Sequence, residues 1–95
     1  MRLVYAPRFF ERLREIRDRI ANDNPPAARQ MVRRIHEAVR RLAATPGLGR
    51  AGRVPGTREL VVSGTPYLVP YRVGEGAVEI ITVLHGAQEW PDSFP

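Results

Sequence analysis

The spacing of apolar residues changes at Thr45-Pro46-Gly47, and this change constrains the fold more than any other feature of the chain. Before it, apolar residues recur every three or four positions, which is the period of one face of a helix. After it, short runs of β-branched and aromatic residues alternate with glycine and proline, as strands alternate with turns. The chain has 95 residues, enough for one domain with one core. We therefore predict a single α+β domain over residues 1–95, with an irregular, proline-rich tail at 89–95.

Two amphipathic helices are predicted before this change. The first covers roughly residues 7–21 and begins at Pro7, where the missing N–H of proline costs nothing. The second begins at Pro25, with Asn24 as its cap, and extends to about Ala44. The link between them is so short that they should form an antiparallel hairpin. Their apolar stripes consist of Phe9, Leu13, Ile16 and Ile20 in the first helix, and of Ala28, Met31, Ile35, Ala38 or Val39, and Leu42 in the second.

Four strands are predicted, one before the helices and three after them. Their ranges are Arg2–Tyr5, Arg58–Val62, Tyr67–Val73 and Val78–Gln88. Tight turns join the last three, which is typical of an antiparallel meander. Counting chain reversals along the sequence makes the first strand antiparallel to either edge of that meander. The expected fold is β-α-α-β-β-β, an α+β architecture with the helical hairpin packed on one face of a four-stranded, mainly antiparallel sheet.

The composition excludes several classes of function. The chain has no cysteine, so disulfides, thiolate metal sites and cysteine nucleophiles are absent. His36 and His85 are its only histidines, and no carboxylate cluster accompanies either, so we expect no metal site. No apolar run approaches the length of a membrane span and no export leader precedes the first strand, so we expect a cytoplasmic protein.

The segment Gly47–Gly52 matches the nucleotide-binding pattern G-x-G-x-x-G. That pattern binds a pyrophosphate where a strand precedes it and a helix follows, because the phosphate lies at the helix N-terminus. Here the predicted helix comes first and the strand second. We therefore expect no cofactor, and we interpret the segment as a flexible connection.

All fifteen basic residues are arginine, and they are unevenly distributed. Residues 1–45 hold eleven arginines and five acidic residues, a net charge of +6, whereas residues 46–95 hold four arginines and five acidic residues, a net charge of −1. Along the second helix, Arg29, Arg33 and Arg40 share one face. This face either binds a polyanion or an acidic protein, or is simply solvated. We retain these three arginines as candidate partner-binding residues.

Arg58, Arg72 and His85 are the only candidates for catalysis, and they lie on strands or at strand ends. Metal-free RNA cleavage requires a base, an acid and cations beside the crowded phosphate. His85 can serve as the base or the acid, and the arginines as the cations. The alternative is that all three are structural or merely exposed. Tyr67 and Tyr71 share a strand face, where they either stack with bases or, as we favour, pack against the helices.

Taken in order, several segments resemble the RelE/ParE superfamily, the toxins of type II toxin–antitoxin modules, which are also called plasmid-stabilisation proteins. The segments are Leu3–Pro7, Gly56–Val62, Pro66–Val73 and Val83–Pro91, and the match spans nearly the whole chain. The resemblance implies a growth-inhibiting toxin that a cognate antitoxin holds inactive. It also implies one of two targets. RelE-like members cut mRNA in the ribosomal A site with a basic, metal-free site, and ParE-like members poison DNA gyrase.

The chain departs from the RelE-like pattern where that pattern supplies basic residues, namely along the second strand, early in the third and just after the fourth. At these positions the chain has Glu59, Val61, Leu68 and Ala87. A leucine cannot replace an arginine that offsets the charge developing on a phosphate. The sequence therefore favours a non-catalytic, ParE-like toxin that inhibits DNA gyrase.

Two alternatives remain open. The first is a RelE-like, ribosome-dependent mRNA endonuclease that uses Arg58, Arg72 and His85. The second is a degenerate toxin that retains only antitoxin binding. In every case we expect the antitoxin to lay an acidic, amphipathic segment against the basic helices and the sheet edge, and DNA to be reached only through the antitoxin complex.

Overall fold

Both predicted helices are present in the computed structural model, which describes all 95 residues. Helix α1 covers Pro7–Ala21 and helix α2 covers Pro25–Arg40, each with proline in its first turn. The side chain of Asn24 accepts a backbone hydrogen bond at 3.0 Å, as predicted for a cap. Helix α2 ends before Ala44, and the chain continues as a 3₁₀ turn over Arg41–Ala43. Neither helix combines the length with the apolar character that a membrane span requires.

The helices pack on one face of a mixed sheet. Its strands are β1 (Arg2–Tyr5), β2 (Arg50–Ala51), β3 (Arg58–Val61), β4 (Tyr67–Val73), β5 (Ala77–Ile80) and β6 (Leu84–His85). Their spatial order is β1-β5-β4-β3-β2, with β6 also paired to β4. The predicted α+β architecture is therefore confirmed, and its four strands correspond to β1, β3, β4 and the β5–β6 segment. The two-residue strands β2 and β6 are additions to the prediction.

Strand β1 runs parallel to β5, with Leu3 opposite Val78, so the predicted antiparallel arrangement of the first strand is wrong. The error arises in the connection between α2 and β3. This connection contains β2, which pairs antiparallel with β3 and adds one reversal of chain direction that the count along the sequence omitted. The segment interpreted as a flexible connection thus holds a strand and, at Pro46–Leu48, a 3₁₀ turn. A helix still precedes it and a strand still follows, as predicted.

The last predicted strand, Val78–Gln88, is interrupted. Ile80 lies opposite Tyr71 of β4, whereas Leu84 lies opposite Leu68, so three residues on one side face two on the other. One extra residue in this way is a β-bulge. Pro70 lies in the gap and has no N–H for the ladder, although its carbonyl accepts a bond at 3.1 Å from the opposing strand segment. The bulge therefore accommodates a proline inside a central strand.

The main core lies between the helices and the sheet. Its members are Phe9, Leu13, Ile16, Ile35, Val39, Leu42, Leu60, Val62, Tyr67, Val69, Tyr71, Val78, Ile80 and Val83. Tyr67 and Tyr71 are both buried in it, which confirms that they pack against the helices. Neither ring is available to stack with a base.

A smaller cluster covers the opposite face of the sheet. It consists of Val54, Ile81, Leu84 and Phe94, with Trp90 packed against them. Ile81 and Leu84 project to this side because side chains alternate along a strand. The tail at 89–95 has no helix or strand, as predicted, yet Trp90 and Phe94 close this face with it.

Candidate functional site

The three candidate catalytic residues do not meet around one space. Arg58 lies opposite Tyr71 in the β3–β4 ladder, and His85 lies opposite Tyr67 in the β4–β6 ladder. Four residues of β4 separate these points, which is about 13 Å at roughly 3.3 Å per residue. Arg72 follows Tyr71 directly, so it projects from the other face of the sheet. A phosphate held by one of these residues is therefore out of reach of the other two.

Arg58 is occupied by the glycine-rich connection. Its Nε donates to the carbonyl of Gly49 at 3.0 Å, and its Nη2 donates to the carbonyl of Gly47 at 3.2 Å. The neighbouring Tyr71 hydroxyl accepts from the N–H of Gly49 at 2.8 Å and donates to the carbonyl of Pro46 at 2.7 Å. A Cβ at Gly49 would lie 2.7 Å from the tyrosine ring, so the turn needs glycine at this position. Arg58 thus stabilises the turn that Gly47 and Gly49 form.

Glu59 is a buried carboxylate, only 2% exposed, that two arginines share. It accepts from Arg50 at 3.2 Å, and from the guanidinium and the backbone N–H of Arg53 at 3.1 and 2.7 Å. Burial raises the pKa of Glu59, but the bonds from Arg53 and Arg50 lower it by more, so the net pKa lies below its ordinary value. The guanidinium of Arg53 also lies 3.7 Å from the ring centroid of Trp90, a cation–π contact. Glu59 therefore ties the connection to β3 and, through Arg53, to the tail.

Arg72 forms hydrogen bonds to the last two residues, Phe94 and Pro95. It donates to Glu79 at 2.8 Å and to the carbonyls of Phe94 and Pro95 at 2.7 and 3.2 Å. With it, all four arginines of residues 46–95 have partners within the chain. Glu59 and Glu79 offset part of their positive charge, and the bonds to internal acceptors set the directions in which the four guanidinium groups point.

His85 has one ring nitrogen engaged. Its Nδ1 accepts from the backbone N–H of Ala87 at 3.0 Å, and its ring lies edge-on to Tyr67 at 5.7 Å. In the neutral imidazole this bond assigns the proton to Nε2, because the nitrogen that accepts carries the lone pair. A general base must offer a free lone pair. Nε2–H can thus donate a hydrogen bond, but His85 can act neither as a base at Nδ1 nor as an imidazolium acid without losing the bond from Ala87.

Two arginines of α1 approach His85, which the sequence did not indicate. Arg12 donates to the side-chain oxygen of Gln88 at 2.8 Å, and the same oxygen accepts from the backbone N–H of His85 at 2.8 Å. Arg19 donates to the hydroxyl of Tyr67 at 3.0 Å. The signal is their spacing of seven residues, about two helical turns, which places both arginines on one side of α1 beside its apolar stripe.

The arginines of α2 are exposed and make no side-chain hydrogen bond or ion pair within the chain. Arg29, Arg33 and Arg40 are among them, and they remain candidates for partner binding. His36 lies beside them but is half-buried, 6.0 Å from the ring of Phe9. Burial and, to a smaller extent, Arg40 lower the pKa of His36, so it is neutral at pH 7 and adds no charge to this face.

Two further arginines, Arg34 of α2 and Arg41 of the 3₁₀ turn that follows it, line the outer edge of β3 instead. Two adjoining cavities of about 290 and 320 Å³ lie along this edge and share Arg41, Leu60, Val61 and Ser63. We call them together the edge groove. Its other lining residues are Arg34, Glu37, Ala38, Leu48, Gly49, Arg50, Glu59 and Val62. No group of three or more histidine, aspartate or glutamate side chains gathers as metal ligands anywhere in the chain.

With this geometry in place, comparison with known proteins decides the family. The family model described as "ParE toxin of type II toxin-antitoxin system, parDE" matches residues 3–90. The chain belongs to this ParE toxin family. It is therefore the toxin of a type II toxin–antitoxin system, and the predicted membership of the RelE/ParE superfamily is confirmed.

Individual relatives agree with the ParE assignment. Y4kP of Sinorhizobium fredii, named as a candidate toxin, is 47% identical over 90 residues, which cover 95% of this chain and 93% of that protein. Toxin RelE2 of Caulobacter vibrioides is 37% identical over 86 residues, covering 90% of this chain and 96% of that protein. A chain of the solved chromosomal ParDE toxin–antitoxin system from P. aeruginosa superposes with a TM-score of 0.82 at 30% identity, covering 90% of this ParE-family toxin and 95% of that chain.

Proposed function

We propose that this ParE-family toxin acts without catalysis, by binding DNA gyrase in the cytoplasm and blocking replication, and that a cognate antitoxin neutralises it. One observation carries the proposal: all four arginines of residues 46–95 are bonded to acceptors within the chain. Metal-free cleavage of RNA needs cations aimed at the phosphate in the transition state. Arginines already bonded to Glu59, Glu79 and backbone carbonyls have fewer N–H donors left for it, and the bonds fix their guanidinium groups in other directions.

The state of His85 supports the same proposal. Its lone-pair nitrogen is bonded to the N–H of Ala87, so the base that would activate a 2′-hydroxyl is engaged. Leu68, in the position where RelE-like nucleases carry an arginine, is buried and apolar. Binding a large protein needs none of these groups, since it depends on surface shape and charge.

The exposed arginines of α2 supply that surface charge. Arg29, Arg33 and Arg40 are free to contact an acidic patch on a protein partner, and their charge would speed its association. Because these arginines are exposed and bond to no acceptor within the chain, we assign them to partner binding. We expect DNA to be contacted only through the antitoxin complex.

A ribosome-dependent mRNA endonuclease is the second candidate, because a relative 37% identical over 86 residues carries the name Toxin RelE2. In that case the cations would come from Arg12 and Arg19 of α1, which are bonded to Gln88 and Tyr67 beside His85, rather than from Arg58 or Arg72. His85 would serve as the acid in its imidazolium form, which gives up the bond from Ala87.

One experiment separates the two candidates. The isolated toxin gene is induced, pulse-labelled DNA synthesis is followed, and mRNA 5′ ends are mapped in wild type, His85→Ala and the matched control His36→Gln. We expect DNA synthesis to stop first, with intact messages, in all three. Purified gyrase should lose supercoiling activity as the toxin is added.

Codon-phased cleavage of translated messages that disappears in His85→Ala and persists in His36→Gln would establish the endonuclease and overturn the gyrase proposal. Normal growth on induction, with the folded toxin present in the cell, would support the degenerate form that retains only antitoxin binding.

A further inference from the structure

The outer edge of β1 is unpaired. This strand ends the order of the sheet, and within the chain it pairs only with β5. The N–H of Arg2 donates to the carbonyl just before β5 at 3.1 Å, and the N–H of Ala6 donates to the last carbonyl of β5 at 2.9 Å. Backbone groups of successive strand residues point to opposite sides. The N–H and C=O of Leu3 and of Tyr5 therefore point away from β5, and no group of the chain bonds to them.

Two copies of this edge match each other in antiparallel register. When Leu3 of one copy lies opposite Tyr5 of the other, the two residues exchange both N–H···O bonds. A two-fold axis repeats this pair, so about four hydrogen bonds form and every outward N–H and C=O of both copies has a partner. Val4 then lies on the axis, opposite Val4 of the second copy, as a non-hydrogen-bonded pair whose side chains approach closely.

Apolar side chains surround this axis on both faces of the sheet. Six large apolar residues of the chain are exposed, and three of them belong to this edge or its neighbourhood: Met1, Val4 and Phe10, each 40–42% exposed. Val4 projects from the face opposite the helices, because its neighbours Leu3 and Tyr5 pack against the main core. On the helix side, the ring of Phe10 lies 5.3 Å from that of Tyr5. Pairing of two copies would therefore bury apolar surface on both faces.

The charges at this edge are complementary between two copies. Arg2 is exposed and has no ion pair within the chain, and in this register it lies opposite Ala6 of the second copy. Ala6 lines a cavity of about 310 Å³ whose charged side chains are Arg8, Glu11 and Glu79. Glu79 is already in an ion pair, whereas Glu11 is exposed and has none. Arg2 can therefore pair with Glu11 of the second copy, and the two-fold axis repeats the pair.

We propose that the β1 edge binds a second copy of this toxin, so that an antiparallel pair of β1 strands joins two sheets into one. Another extended chain would also satisfy the open groups of Leu3 and Tyr5. Only a second copy necessarily places Val4 against Val4 and Glu11 beside Arg2. The paired strands are short, so the interface lies at the small end of specific contacts, and we expect a dissociation constant of roughly 10–100 µM. The proposal goes beyond the toxin's target and does not depend on it.

The first test places a charge on the two-fold axis. Val4→Glu brings two carboxylates within about 5 Å of each other, so the dissociation constant in sedimentation velocity should rise at least tenfold. The matched control is Val61→Glu, since Val61 is a valine of similar exposure, 48%, in the edge groove. It should change self-association less than about threefold. A wild type that stays monomeric at about ten times the expected dissociation constant, or equal effects of the two variants, would overturn the proposal.

A charge exchange tests the register. Arg2→Glu and Glu11→Arg each set like charges against each other at both ends of the pair, so each should weaken self-association about tenfold. The two changes together restore opposite charges, and the dissociation constant should return to within about threefold of wild type. Arg29→Glu, on α2, changes the net charge as Arg2→Glu does and should have little effect. A double variant that dimerises no better than the single ones would overturn this register.

Hydrogen exchange on the wild-type toxin makes the test independent of whether any variant folds. The amides of Leu3 and Tyr5 should exchange quickly in dilute toxin and more slowly as the concentration rises through the dissociation constant. The amide of Val4, which faces β5, is the internal control and should depend less on concentration. Exchange at Leu3 and Tyr5 that does not depend on concentration would overturn the proposal. Protection of these two amides only when the cognate antitoxin is added would assign the edge to the antitoxin and would also overturn it.

Discussion

Residues 46–95 and helix α2 use arginine in opposite ways. In residues 46–95 each of the four arginines is bonded to a carboxylate or a carbonyl of the same chain, whereas the arginines of α2 have no such partner. The difference lies in the acceptors, because Glu59, Glu79 and backbone carbonyls lie within reach of the arginines of residues 46–95, whereas the arginines of α2 bond to no acceptor of the chain. Arginine content alone therefore does not locate a binding site. The acceptors nearby determine which arginines remain free to bind a partner.

The variant with the largest expected effect on stability replaces Glu59, the carboxylate that accepts hydrogen bonds from both Arg50 and Arg53. Glu59→Gln should destabilise the toxin by about 2–3 kcal/mol, because the charge-assisted bonds from Arg50 and Arg53 weaken around a buried group. Urea unfolding followed by fluorescence of Trp90, the only tryptophan, measures the loss. A loss below about 0.5 kcal/mol would mean that Glu59 contributes no more than an ordinary surface ion pair. The bonded arginines of residues 46–95 would then not differ in energy from the unbonded arginines of α2.

The same variant has a pH signature. The folded pKa of Glu59 lies below its ordinary value of 4.5, so its contribution is complete above that value and is lost as the pH falls through the folded pKa. The difference in stability between wild type and Glu59→Gln should thus be constant from about pH 6 to 8 and should shrink below about pH 4.5. A difference that instead grows toward low pH contradicts the assignment of the charged form.

The next test concerns the turn at Gly47–Gly49, whose carbonyls accept hydrogen bonds from Arg58. Gly49→Ala should cost about 2 kcal/mol, because its Cβ meets the ring of Tyr71 and a backbone oxygen, each at 2.7 Å. The matched control is Gly47→Ala, whose Cβ meets nothing within 4 Å and which should change stability by less than about 0.5 kcal/mol. Equal stabilities of the two variants by thermal unfolding would show that the turn adapts and that Arg58 has no fixed acceptor there.

A smaller effect on stability is expected from replacing Arg50 or Arg53, the two partners of Glu59, and it should differ between them. Arg53→Ala should cost about 1 kcal/mol, since it removes both the ion pair and the stacking on Trp90. Arg50→Ala removes a more exposed pair and should cost about half as much. The emission of Trp90 should change in the first variant only, and a change in both would mean that the tail depends on Glu59 rather than on Arg53.

The smallest effects on stability are expected on α2. Replacing Arg29, Arg33 and Arg40 together with glutamine should alter the free energy of unfolding by less than about 0.5 kcal/mol, because none of them bonds within the chain. The same change should lower the salt dependence of partner binding. A loss above about 1 kcal/mol in urea unfolding would show that the arginines of α2 also stabilise the fold, as those of residues 46–95 do.

One of these arginines also acts on a neighbouring group. Arg40→Gln should raise the pKa of His36 part of the way toward 6.5, because Arg40 is the lesser of the two causes that lower it and burial remains. Arg29→Gln should leave it in place. An NMR titration of the His36 ring distinguishes the two variants.

The elements that the sequence predicted well depend on local patterns. A few neighbouring residues are enough to predict the apolar stripe of α1, its start at Pro7 and the Asn24 cap. The structure contains all three. Strand β4 was predictable in the same way, since it is a run of apolar and aromatic residues between two turns. Local propensity and tertiary structure agree at these positions.

The features that were not predicted depend on partners distant in the sequence. Strand β2 is two residues long and exists because Arg50 and Ala51 meet β3, which no propensity of a glycine-rich segment indicates. Overlooking it reversed the predicted direction of β1. The roles of Arg58 and Arg72 likewise depend on carbonyls 9 to 23 residues away. The approach of Arg12 to Gln88 spans 76 positions, so only the folded chain reveals it.

The parallel pairing of β1 with β5 has a consequence for synthesis of the protein. Leu3 is translated 75 positions before its strand partner Val78, counting from residue 3 to residue 78. Until residues 77–80 leave the ribosome, β1 has nothing to pair with, and contacts between such distant positions form slowly. The sheet of this toxin can therefore be completed only after β5 has been translated, so β1 waits for a partner while the helices and strands β2, β3 and β4 are already made.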